Sequence, residues 1–514
     1  MNSNKLTRIL SIVAIYVATL GNYVQSAETV SPNLAKLAEV EAKLSLGQLR
    51  EMLSLPNDAH YEDDIRKNII WFQKAFEKRG FVVSLIATEG QPLMLAERRT
   101  EGASKTALIY LQADGQPVDV SKWHQPSPYD AVLKEKVDRE WKAIDWSRAE
   151  SELNPEWRIF ARSASDAKGP IAMVLAALDS MKKNGLKAGL NMKFVLDFEE
   201  ELGSPHLPKA VKDNRVDFAA DFLMIFDGPR HLSNRPTLYF GARGIANITL
   251  KVFGPKRPQH SGGYGNYAPN PALLLSDLLA SMKDDGGRVT IPGFQDGITI
   301  SEQDRKILAA IPDDEKAILT SLGIKNPDKV GATYQEAMQY PSLSILGLQS
   351  GWVGDQTRTI IPATATAELD ARLVPEKDPE SLIALVRQHI EGKGYHIIAG
   401  KEPTDEERRN NARLISFDHV VSYGAFRTPL DGPEAKWLVK TLKQTFQADP
   451  VQIRMVGGSI PIAPFVSELK ILAIGVPTVY LENNQHSPNE NLRMGNYVEG
   501  IQTFLAILTV PADF

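Results

Sequence analysis

Two rhythms of apolar and polar positions run along the chain. Between Pro32 and Gly80 apolar residues recur at three- and four-residue steps, which predicts helices, with Leu44–Leu53 and Ile65–Lys78 as amphipathic pieces. Short apolar runs at Val82–Ala87, Ala107–Leu111, Met192–Phe198 and Phe222–Phe226 predict strands, and Ile171–Lys182 a helix among them. Such alternation predicts an α/β layer on a mixed, mainly parallel sheet. The texture changes after Gly241. Ile245–Phe253 and Ala363–Leu373 alternate like half-exposed strands, Ala272–Met282 and Pro379–His389 are helical, and Tyr395–Ala399 is a short strand. This β-α-β-β-α-β order predicts a small α+β, ferredoxin-like unit inserted into the larger one. Within it Arg288–Tyr340 reads as a polar, irregular surface excursion, and the charged run Thr404–Arg409 is a linker candidate. The expected plan is a leader over 1–27, a larger domain over 28–241 and 406–514, and the inserted domain over 242–405.

Composition narrows the chemistry more than the fold. The 514 residues include no Cys, which excludes disulfides, thiol nucleophiles, Cys-ligated zinc and iron–sulfur clusters. A net charge of −5 lacks the basic footprint of a nucleic-acid binder. Lys5 and Arg8 precede the apolar run Ile9–Leu20, and small residues follow at Ser26 and Ala27, the layout of a secretory signal peptide. The run is shorter than the ~20 residues a spanning helix needs. A periplasmic or secreted protein is expected, cleaved near Ser26/Ala27 and free of the membrane thereafter.

Acidic or His-bearing segments fall where the α/β strands end, which is where open sheets place ligands. They are Gln112-Ala113-Asp114, Ser165-Asp166-Ala167-Lys168-Gly169, Glu199-Glu200-Glu201, Asp227-Gly228 and Gln485-His486-Ser487-Pro488-Asn489-Glu490. Singly, each is weak, since an acidic residue after a strand is most often a helix cap or a solvated turn. The triple-Glu run stands out, because three adjacent carboxylates repel unless cations or solvent compensate, although alone it still reads as a solvated acidic turn. Successive side chains at a strand end point apart, so Glu200 and Glu201 can do different work, one activating water and one holding a metal. No G-x-S-x-G, H-E-x-x-H or G-x-x-x-x-G-K-[ST] is present.

Taken in order, these segments resemble the peptidase M-twenty family of carnosinases, carboxypeptidase G, acetylornithine deacetylases and aminoacylases. The matching runs are Gln112-Ala113-Asp114-Gly115-Gln116-Pro117-Val118-Asp119 with Trp123, Ser165-Asp166-Ala167-Lys168-Gly169, and Glu200-Glu201-Leu202-Gly203-Ser204. Further on come Gly254-Pro255 to His260-Ser261-Gly262, Pro269-Asn270-Pro271, Arg372-Leu373-Val374-Pro375, Gly457-Gly458-Ser459 and His486-Ser487-Pro488. The resemblance implies a zinc-peptidase-like catalytic domain carrying a lid and dimerisation domain, and two zinc ions, with manganese or cobalt as substitutes. It implies that Asp166 bridges the ions, that Glu201 and His486 hold one, and that Asp227 and residue 112 hold the other. Glu200 matches the general base, Asp114 the acid that orients the first-motif ligand, and His260 a lid residue reaching across a homodimer to the partner's site. Asn270 and Arg372 match residues contacting the substrate carboxylate, in a pocket bordered by Gly458 and Ser459.

One position departs from that pattern: residue 112 is Gln where the family has His. An amide oxygen is a weaker zinc ligand than imidazole. Three outcomes are open. Gln112 ligates through oxygen while donating its NH2 to Asp114, or only the Asp166, Glu201 and His486 site fills, or the site binds without turnover. The expected activity is a metal-dependent exopeptidase acting on dipeptides or short peptides with a free C-terminal carboxylate. An N-acyl-amino-acid amidohydrolase is the enzymatic alternative, and a non-catalytic binder of peptides or acyl amino acids the other class.

Overall fold

The computed structural model describes residues 33–514, so the leader expected over 1–27 lies outside the described residues. The amphipathic segment near the start forms the helix Leu34–Leu53, and the acid-rich start of the next, Glu62-Asp63-Asp64, opens the helix Glu62–Glu77. Acids in a first turn complement the positive end of the helix dipole. The apolar runs predicted as strands lie in an eight-stranded sheet. Its order is Val82–Ile86, Leu93–Arg98, Asn191–Asp197, Thr106–Gln112, Phe222–Ile225, Leu472–Gly475, Thr237–Tyr239, Val451–Ile453. The middle pairings, Asn191–Asp197 with Thr106–Gln112, that strand with Phe222–Ile225, and Phe222–Ile225 with Leu472–Gly475, are parallel.

Both faces of this sheet are covered, which explains why its inner strands read as unbroken apolar runs. On one face the helices Leu34–Leu53, Lys168–Lys183 and Met494–Thr509 pack together over Phe194, Met224 and Phe226. On the other, Leu207, Val211, Phe218 and Phe465 cover Tyr110, Val195 and Leu223. Lys168, fully buried, donates to the carbonyls of Met52 and Leu55 at 3.0 and 2.6 Å and ties the end of the first helix to the start of the helix Lys168–Lys183. Burial holds its ammonium well below the usual lysine range.

The inserted unit is a five-stranded sheet in the order Ser342–Gln349, Thr364–Leu373, Gly244–Phe253, Leu414–Tyr423, His396–Ile397. Ala246, Ile248, Leu250 and Val252 face its core against the helices Pro271–Ala280 and Pro379–Gly392, while the residues between them face away. Two expectations need correction. The strand Leu414–Tyr423 pairs antiparallel with Gly244–Phe253, so the inserted sheet runs past residue 405. The chain returns at Phe426–Arg427, which pairs with Gly241–Ala242. The charged run read as a linker is a short helix, Asp405–Asn410, because Thr404 and Glu407 form a capping box. The excursion over 288–340 also holds the helices Glu302–Ala309 and Glu315–Leu322. Among the described residues no helix is long and apolar enough to cross a membrane.

Candidate active site

The acids converge at the carboxyl ends of the parallel strands, as the sheet topology requires. Asp166, Glu201 and His486 each offer a ligand atom, and these atoms lie within 4.8 Å of one another. His486 Nε2 is 2.9 Å from Asp166 Oδ2 and 3.4 Å from Glu201 Oε2. Two supports hold the acids at this spacing. Glu490, fully buried, accepts from Arg162 Nη1 at 2.8 Å and from the backbone N–H groups of Ser163, Ser165 and Asp166 at 2.9, 2.8 and 2.9 Å. Asp114, also fully buried, accepts from the N–H groups of Glu200 and Glu201 at 3.1 and 3.0 Å. Gly203, at φ 80, closes the tight Glu200–Leu202 turn in a conformation few other residues adopt. At Gly115 a side chain would collide with the Ser163 hydroxyl, so its absence lets the Gln112–Gln116 turn lie against the Asp166 loop.

Crowding acids away from water raises their proton affinity. Burial, reinforced by Asp227, Glu201, Asp166 and Asp114, pushes the Glu200 carboxyl well above its usual range. Burial pushes Asp166 up to about 8, and the hydrogen bond to Asp166 pushes His486 up to about 9. Glu201 and Asp227 are raised too, chiefly by burial. In the metal-free protein this constellation retains protons that a divalent cation would displace.

The residues fit a cation. Glu201 Oε1 is a buried acceptor with no hydrogen-bond partner, while Oε2 accepts from Gln116 Nε2 at 2.7 Å. An orphaned carboxylate oxygen beside an Asp and an imidazole is a donor set for a hard or borderline divalent ion. Gln112, at the end of its strand and 1% exposed, is the opposite case, because its buried Nε2 finds no acceptor. Of the three open outcomes, the one in which Gln112 donates its NH2 to Asp114 is not the arrangement found. Asp114 instead accepts from the Glu200 and Glu201 backbone, one N–H on each oxygen, and so shapes the acidic turn. Asp227 lies outside the three-residue group and accepts from Gly228 N at 2.6 Å.

On the inserted sheet, Arg372 Nη1 donates to Ser459 Oγ at 2.8 Å and Nε to Asp370 Oδ2 at 2.9 Å, joining the sheet to the exposed Gly458 loop. Ile245 pairs with Arg372 on one side and Tyr423 on the other. Arg372 and Tyr423 thus share a face, two strand spacings or about 10 Å apart. Burial, with Glu200 and Asp227 adding, pushes the Tyr423 phenol up to about 12 against the pull of Arg372. His260 and Asn270 are not joined to the acids. Each is exposed and accepts from a backbone N–H two residues on, Gly262 at 3.0 Å and Ala272 at 2.9 Å.

The family model for peptidase family M20/M25/M40 matches residues 127–510. The chain belongs to this family. The Beta-Ala-His dipeptidase of Rattus norvegicus is 25% identical over 81% of this chain and 79% of its own. The Cys-Gly metallodipeptidase dug1 of Schizosaccharomyces pombe is 24% identical over 80% and 81%. Among solved structures, the M20 family metallo-carboxypeptidase Sso-CP2 from Sulfolobus solfataricus superposes with a TM-score of 0.73 at 26% identity, over 91% of this chain and 99% of that one. The α/β fold with its mixed sheet, and a metal-dependent hydrolase, follow from this membership.

Glu490, Gln116, Arg162 and Tyr423 were not singled out from the sequence. Glu490 ends the His486-Ser487-Pro488-Asn489-Glu490 run and Gln116 lies in the Gln112–Asp119 run, so both carried a signal. Tyr423 carried none, because only the strand register brings it level with Arg372.

Proposed function

We propose that the protein is an exported, metal-dependent dipeptidase. The observation that carries this reading is the convergence of Asp166, Glu201 and His486 next to Glu200, together with Arg372 of the inserted sheet bonded to Ser459 of the Gly458 loop. Asp166, Glu201 and His486 would hold one cation, with Asp227 the acid available to a second. The cation would polarise the scissile carbonyl and offset developing negative charge. Glu200, with its raised proton affinity, takes a proton from the attacking water and delivers it to the leaving amine. Arg372 is a fixed fork matched to a carboxylate, which favours a substrate with a free C-terminus. The names of the rat and yeast relatives support dipeptides over longer peptides. Zinc is the family's metal, and the imidazole–carboxylate set suits zinc, manganese or cobalt.

A homodimer is part of the proposal. The edge strand Ser342–Gln349 leaves Ile345, Leu346 and Leu348 more than half exposed, and Val353 follows at 86%. An apolar strand edge of this kind favours pairing with a second copy. That arrangement would give the exposed His260 a partner site to reach. The leader-like Lys5–Ala27 segment supports export.

The test is a panel of dipeptides and N-acyl amino acids, incubated with the mature protein and zinc, manganese or cobalt, with free amine quantified. Dipeptide cleavage that Glu200→Gln abolishes supports the proposal. Faster release from simple N-acyl amino acids would make the protein a deacylase. Affinity without turnover under every metal would make it a binding protein.

A further inference from the structure

The excursion of the inserted unit encloses a cavity of about 330 Å³ that no catalytic role uses. Its walls are mainly apolar, with Ile318, Leu319, Leu322 and Met338 among them, and one wall is the guanidinium of Arg243. Arg372, Ser459 and the acids of the catalytic centre are not part of its lining.

Arg243 is 8% exposed. Its hydrogen bonds go to neutral acceptors, with Nε to the Gly457 carbonyl at 3.2 Å and Nη1 to the Tyr340 carbonyl at 3.3 Å and Ser342 Oγ at 3.5 Å. The other buried arginines are treated differently. Arg79 pairs with Asp179, Arg162 with Glu490, Arg230 with Glu499 and Arg454 with Asp304. Among the described residues Arg243 alone of these buried arginines has no carboxylate within ion-pair distance. Asp370, whose charge reaches Arg243, is committed to Arg372 at 2.9 Å. Burial, with Arg372 adding, pulls Arg243 down to about 10, the direction expected of a cation lacking a counter-ion.

A buried charge without a partner is costly, and an anion that brings its own apolar body into the cavity removes that cost. We propose that this cavity is a second binding site, for a small monocarboxylate with an apolar body whose carboxylate pairs with Arg243. The exposed Glu315 and Asp328 and the half-buried Lys283 also line the cavity. Glu315 accepts from Tyr334 N at 3.0 Å and Asp328 lies 3.9 Å from Lys283, so these groups form a polar outer rim and Arg243 the inner end. Such a ligand has two sources: an apolar amino acid, the product of peptide cleavage, or a medium-chain fatty acid. The site adjoins the substrate loop, since a Cβ on Gly457 would fall against Met338 Sδ, in the cavity wall.

Isothermal titration of the mature protein with sodium octanoate and with L-leucine tests this, with octylammonium as the charge-reversed control. At least one carboxylate is expected to bind once per chain, and whichever binds identifies the source. Arg243→Met and Leu319→Trp are each expected to weaken it by about tenfold or more, while Arg372→Met leaves it intact. Leu319→Trp, on a partly exposed helix, keeps the test open if Arg243→Met fails to fold. Silence from both carboxylates, equal binding of octylammonium, or binding lost only in Arg372→Met would overturn the proposal. Because titration needs no turnover, a protein inactive on every dipeptide still tests it.

Discussion

On one side of the acidic pocket, Asp166, Glu201 and His486 bring ligand atoms within 4.8 Å, and a buried carboxylate oxygen of Glu201 waits without a donor. On the other side, Asp227 is tied to Gly228, and Gln112 leaves a buried NH2 group without an acceptor. The contrast lies in the sign of what is missing. An orphaned acceptor is satisfied by a cation, whereas an orphaned N–H is not and costs about 1–3 kcal/mol. Turning the Gln112 amide over would present an oxygen, but a neutral amide oxygen is a weaker ligand for a divalent cation than a carboxylate or an imidazole. The side that keeps carboxylates and imidazole is therefore preorganised, and the side with Gln is not.

The largest effects should come from breaking the preorganised side. Asp166→Asn is expected to abolish tight metal binding, and Glu200→Gln to lower kcat by about 100- to 10,000-fold while leaving metal content unchanged. Metal analysis alongside steady-state kinetics checks this split, and loss of metal in Glu200→Gln would contradict it. Glu490→Gln removes the charge paired with Arg162 inside the core, so about 3–5 kcal/mol of stability should be lost in urea unfolding. A change under 1 kcal/mol would show that the Glu490 network does not hold the Asp166 loop.

A smaller, pH-linked effect sharpens the comparison. Asp166 is raised to about 8 from an ordinary carboxylate value, and His486 to about 9. A group whose folded pKa is raised contributes stability that is full below its unfolded pKa and lost as pH rises through the folded one. Both therefore act in the same direction, and the metal-free protein should melt progressively lower from about pH 5 to pH 9. Divalent cation, which binds the deprotonated ligands, should flatten or reverse that trend. A metal-free melting temperature that rises over this range would contradict the crowding account.

The smallest effect concerns the face shared by Arg372 and Tyr423. Tyr423→Phe is expected to change KM or kcat by about threefold to tenfold, the scale of one hydrogen bond. Identical kinetics in wild type and variant would remove Tyr423 from the site.

How much of this was readable beforehand follows from the kind of signal each residue carries. The central strands and the helix Lys168–Lys183 stood out because burial on both faces writes itself as local apolar runs. Asp166, Glu200, Glu201 and His486 stood out because their motifs are contiguous in sequence. The end of the inserted unit was misplaced, because the charged helix Asp405–Asn410 looks like a linker until its capping box is seen. The work of Asp114 in holding the acidic turn was missed for a similar reason. Its hydrogen bonds reach 86 and 87 residues along the chain, and no local pattern encodes them. Arg243 was silent because a missing counter-ion is a property of three-dimensional surroundings.

The asymmetry of the pocket is tested most directly by counting tightly bound metal per chain in wild type and in Gln112→His after dialysis against trace-metal-free buffer. One tight ion in wild type is predicted, and a second in Gln112→His with its affinity raised by about 10- to 100-fold. Two tight ions in both proteins, or one in both, would contradict the claim that Gln112 sets the weak side.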